Sequence, residues 1–157
     1  MPQALPSRET RNVITPRIRQ FLVEVEELID GADAPGLDRE GVEITTADAV
    51  ALVRLPHRNA EHDVEIQVDD HTVVVVYGGE PVHLRDRAFA LQFVEALLTG
   101  RVEIEVHRGM LWRTTSSYLD RSARPFLVTR MPVPAPIAPA GGRRVRRTVG
   151  FGAEPPN

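Results

Sequence analysis

Four consecutive valines, Val73 to Val76, constrain this chain more than any other feature. A β-branched run is stiff at χ1 and packs well on a pleated surface, so the segment reads as a strand. Alternate side chains of a strand point to opposite faces. Both faces are therefore apolar, which predicts a central strand covered on each side. Its neighbour differs: Asp63 to Val68 alternates, with Val64, Ile66 and Val68 on one face and Asp63, Glu65 and Gln67 on the other. Asp69-Asp70 supplies turn residues between the two runs, so 63–68 and 72–77 read as a β-hairpin.

Two segments carry a helical period instead. Thr15 can cap a helix whose first position is Pro16, where the missing N–H costs nothing. Ile18, Phe21, Leu22, Val25, Leu28 and Ile29 then form one apolar stripe, and Gly31 ends it, which predicts a helix over 16–30. Its charges run against the helix dipole. Arg17 and Arg19 open it and Glu26, Glu27 and Asp30 close it, at ~0.3–1 kcal/mol per exposed charge. Burial of the stripe must hold this helix, and its acidic end invites a cation, the chain's own arginine tail being one source. A second helix is expected over 87–99, capped by Asp86 and closed by Gly100, with Phe89, Ala90, Phe93, Val94, Leu97 and Leu98 inward.

Further strands are expected at 42–45, at 50–55 ahead of Pro56, and at 81–84. Residues 101–107 alternate strictly, Arg108-Gly109 turns, 111–118 returns, and 126–129 makes a weaker last strand. The pattern predicts an α+β fold: an antiparallel, meander-like sheet of about five to seven strands with two packed helices and a disordered C-terminal tail. Residues 1–12 read as a flexible leader and 13–130 as one domain. Residues 131–157 read as a flexible tail, because Pro132, Pro134, Pro136, Pro139 and Gly141-Gly142 favour extended backbone and build no core.

Charge divides the same way. From Met131 on, four arginines face one acid, so the net charge of −3 separates into +3 for the tail and −6 for the rest. Such a split suits self-association or an anionic partner. All 19 basic residues are arginine, which fits GC-rich coding in a bacterial genome and offers planar, bidentate pairing with carboxylate or phosphate. The start, Met1 to Pro6, has no charged n-region and no apolar h-region, so a cytoplasmic location is expected. No run approaches the ~18 apolar residues of a membrane span.

Chemistry-bearing motifs are sparse. Absence of cysteine excludes disulfides, thiolate metal ligands and cysteine nucleophiles. None of the four serines sits in a nucleophile-elbow pattern. His57 and His62 share a loop without zinc-ligand spacing, His71 reads as turn chemistry, and Gly78-Gly79 lacks the rest of a phosphate loop. No cofactor or metal is expected.

Glu103 and Glu105 share a strand face flanked by Arg101 and His107. Paired carboxylates can do acid–base work, but cross-strand pairing, for instance with Arg113, satisfies them equally well. Trp112 and Tyr118 on the following strand can anchor a partner. Arg101, Glu103, Glu105, Trp112 and Tyr118 are therefore the candidate partner-binding residues. Arg143, Arg144, Arg146 and Arg147 are the candidate polyanion-binding residues. The leading expectation is a non-catalytic protein–protein interaction module: an adaptor, an antitoxin-like protein or an assembly component, with a protein partner or a second copy. Behind it stands a polyanion- or nucleic-acid-binding accessory protein using the tail, and behind that a small enzyme using Glu103, Glu105 or His107.

Overall fold

The computed structural model describes residues 14–58, 63–77, 80–132 and 146–152. It is an α+β fold with antiparallel sheets and two helices, the class the sequence patterns predict. The first helix, α1, spans Pro16–Gly31. Thr15 Oγ1 accepts the Ile18 N–H at 3.3 Å and Pro16 occupies the first turn, so the start is as expected. At the other end Arg39 donates to the Ile29 carbonyl and, at 2.6 Å, to that of Ala32. A cation at this helix end is thus Arg39, from a short 3₁₀ turn at Arg39–Gly41, bound to the backbone carbonyls.

Five strands follow in an antiparallel meander: β1 Glu43–Ala47, β2 Val50–Leu55, β3 Val64–Val68, β4 Val73–Tyr77 and β5 Glu80–Leu84. Their register aligns Val53, Ile66, Val75 and Val82 in one lateral row, every member of it buried. The helices α1 and α2 (Arg87–Leu98) pack on each other and share one core with this face. The valine run is covered less evenly than the sequence predicts. Val73 and Val75 are buried, whereas Val74 and Val76 are half-buried. Their face is shared with Gln67 and His83 beside Val74, and with Glu65 and Pro81 beside Val76. No second helix layer is needed there, because neighbouring strands shield part of each valine.

A single sheet of five to seven strands does not form. Four more strands, β6 Val102–Arg108, β7 Trp112–Leu119, β8 Leu127–Pro132 and β9 Arg146–Val149, make a second antiparallel sheet in the order β8-β7-β6-β9. The reason is α2, which lies between β5 and β6 in the chain and packs against both. It diverts β6 into a new sheet instead of letting it extend the β5 edge. The two sheets still share one core, to which β6 adds Val102 and Ile104. A buried hydrogen bond joins Tyr77 Oη on β4 to Ser117 Oγ on β7. Tyr77, Phe93 and Phe126 stack edge to face at 5.2 Å spacings across the same junction.

Residues 146–152 correct the expectation of a flexible tail from 131 onward. Residues 146–149 pair with β6, and Phe151 is fully buried, stacked on His57 at 5.6 Å. The Phe151 N–H donates to Leu97 O at 2.8 Å and its carbonyl accepts the Gly36 N–H at 3.0 Å. Gly150 permits this approach, since at φ +100 a Cβ would lie 2.2 Å from Leu97 O. The remainder of the expected tail, 133–145 and 153–157, and the leader 1–12 lie outside the described residues. No helix of the described residues is long and apolar enough to cross a membrane.

Candidate interaction surface

The second sheet collects most of the residues singled out from the sequence, because strict alternation places them on one face. Glu103, Glu105 and His107 of β6 share that face with Trp112, Thr114, Ser116 and Tyr118 of β7, and with Arg146 and Thr148 of β9. Arg146 is the organising side chain. Its guanidinium lies 3.6 Å from the centroid of the Tyr118 ring, its Nε is 3.6 Å from Glu105 Oε2, and its Nη1 donates to Ser122 O at 3.1 Å. A cation held over a ring and beside a carboxylate is attracted by both. The carboxylate partner on this face is thus Arg146 and not Arg113, which the register places on the opposite face. Arg101 pairs with Asp120 at 2.6 Å.

The structure brings Arg101, Glu103, Glu105 and Tyr118 to the proximal half of the sheet, near α2. Tyr118 is only 7% exposed beneath Arg146, so its ring serves packing there. Trp112 stands apart at the distal end, 47% exposed, with Arg130 stacked 5.8 Å from its centroid. Of the candidate polyanion residues, Arg146 and Arg147 lie on β9, while Arg143 and Arg144 lie outside the described residues. His62 is likewise outside them, and among the described residues no group of three or more potential ligands could hold a metal ion.

Sequence reasoning missed the distal end as a unit. Seven large apolar side chains are exposed among the described residues, and five of them cluster here: Met110, Leu111, Trp112, Val128 and Met131. The β6–β7 turn supplies Met110 and Leu111, β7 opens with Trp112, and the edge strand β8 supplies Val128 on the face of Trp112 and Met131 on the opposite face. Arg108, Arg113 and Arg130 lie among them, and stretches 106–114 and 127–132 contain no acid. The available signal was Met110-Leu111-Trp112 straight after Gly109, at a hairpin tip where polar residues are usual.

The fold also sharpens the charge split. Residues 1–100 hold nine arginines and 18 acids, whereas residues 101–157 hold ten arginines and four acids. The border coincides with the step from α2 to β6, so the helices and first sheet are acidic and the second sheet is basic. Two grooves among the described residues lie along α1. One, of about 660 Å³, is lined by Arg17, Phe21, Arg87 and Leu91, and the other, of about 250 Å³, by Glu26, Asp30 and Ile44. No protein-family model, curated protein or solved structure matches this chain.

Proposed function

We propose that this chain is a non-catalytic protein–protein interaction module of a bacterial cytoplasm, which binds through the distal end of its second sheet. The observation that carries the reading is the clustering there of five of the seven exposed large apolar side chains, interleaved with arginines. Exposed large apolar side chains gathered at one end of a sheet, with arginines among them, suit a partner site, and Trp, Met and Arg are enriched in protein interfaces. Glu103, Glu105 and His107, the residues of the enzyme reading, lie on an open sheet face, and Glu105 is occupied by Arg146.

A photo-reactive benzoylphenylalanine at position 112 tests the reading in living cells. Position 50, on the acidic side of the molecule, serves as the control. Discrete protein adducts from 112, absent from 50, are expected. If 112 yields no more protein adduct than 50, the reading fails. A second reading, polyanion binding, draws on the ten arginines against four acids after residue 100. It requires nucleic-acid affinity that falls steeply with salt and depends on Arg146 and Arg147.

A further inference from the structure

We infer that the partner seated on the distal end is a second copy of this chain, docked by the outward face of its α1. The inference rests on the interaction-module reading and names its partner. A basic, apolar patch without acids calls for an acidic surface that also carries apolar area. The molecule presents one itself. Along α1 the exposed positions 23, 26, 27 and 30 are Val23, Glu26, Glu27 and Asp30, four residues on one outward face of the helix. Val23 is 44% exposed, and the last turn of α1 contains no basic residue of its own. Arg39 answers the helix carbonyls and leaves the outward carboxylates of Glu26 and Glu27 to solvent.

Nucleic acid fits the distal end less well. A phosphate backbone offers no complement to Met110, Leu111, Val128 and Met131. The two proposed surfaces lie on different parts of the chain, so the contact is heterologous. Each copy keeps one free surface of each kind and further copies can add.

Charge reversal in two separate proteins tests this with the full chain. One double variant is Glu26→Arg with Glu27→Arg, and the other is Arg108→Glu with Arg130→Glu. All four positions are exposed, and circular dichroism melts check that both variants fold. Sedimentation velocity of the unaltered protein should show mass growing with concentration. The association constant should fall by about tenfold between about 50 mM and about 500 mM salt, because the contact is partly ionic. Each double variant alone should be monomeric. Mixed, they should associate again, since the unaltered distal end of one meets the unaltered α1 of the other and the two reversed surfaces are also of opposite charge.

An unaltered protein that stays monomeric at about 100 μM and low salt overturns the inference. So does association that survives either double variant, or a mixture that fails to associate. Assembly seen only when a single-stranded oligonucleotide of about 30 nucleotides is added also overturns it, in favour of the polyanion reading. In any of these cases a cross-link from position 112 to a different protein leaves the interaction module standing. Absence of every protein adduct removes both.

Discussion

Asp69 shows how one carboxylate sets a turn. Its Oδ1 accepts the backbone N–H groups of His71 at 2.7 Å and Thr72 at 2.8 Å, closing the β3–β4 hairpin. The His71 N–H, followed by that of Thr72, holds the Asp69 carboxyl below the usual carboxylate range. A pKa depressed by folding adds stability above the unfolded value and loses it as pH falls through the folded one. Asp69→Ala should therefore cost about 1 kcal/mol near neutral pH, a modest figure because solvent screens the site. The difference from the unaltered protein should shrink as pH drops below about 4. Urea melts at pH 7 and pH 3 measure both. The valine run makes a second residue-scale test. Val75→Asp puts an unpaired charge at a fully buried site and should cost several kcal/mol, enough to unfold the domain. Val74→Asp, on the half-buried face, should cost about 1 kcal/mol and leave a folded protein. Equal melting temperatures for the two variants would contradict the register of β4.

At the scale of elements, the C-terminal strap does what neither helix could do alone. Strand β9 satisfies the β6 edge, and Phe151 fills the space between Leu97, Gly36 and His57. Truncating a fully buried aromatic side chain removes transfer free energy and leaves a cavity. Phe151→Ala should cost about 3–5 kcal/mol. A chain ended after residue 145 should lose at least as much, because it also exposes the β6 edge. Thermal melts of the two variants check this. A truncated chain as stable as the full one would mean that β9 and Phe151 contribute nothing to the fold. Trypsin bears on the same point: Arg146 and Arg147, paired in β9, should be cut only after local opening of the strap.

For the whole molecule, the question is how two sheets behave as one body. The Tyr77–Ser117 hydrogen bond and the Tyr77–Phe93–Phe126 ring contacts cross the junction between them. The two members of one buried hydrogen bond are energetically coupled. Tyr77→Phe and Ser117→Ala should each destabilise by about 1 kcal/mol, and the double variant should lose clearly less than the sum. Additive losses in urea melts would mean that the sheets meet without this pair linking them. Across this junction the acidic and basic parts of the chain are held as separate regions of one molecule, which keeps a basic tip available to an acidic face.

Local pattern alone determined the two helices, the two main hairpins, the antiparallel α+β class and the Asp69 turn. Each depends on residues within one or two turns of chain, where period, caps and turn chemistry act directly. It also placed Glu103, Glu105, Trp112 and Tyr118 on one strand pair, since alternation over 101–107 and 111–118 is a local property. Tertiary structure alone decided the division into two sheets, because the direction of β6 depends on how α2 packs. It decided the fate of Arg146 too: four residues with two arginines carry no strand signal, and only the β6 edge and the pocket for Phe151 make them one. The distal patch belongs to the same class. Met110, Leu111 and Trp112 are adjacent in sequence, but Val128 and Met131 join them only through the β7–β8 register. A surface is a set of residues brought together by pairing, and pairing between distant strands is information that no local window contains.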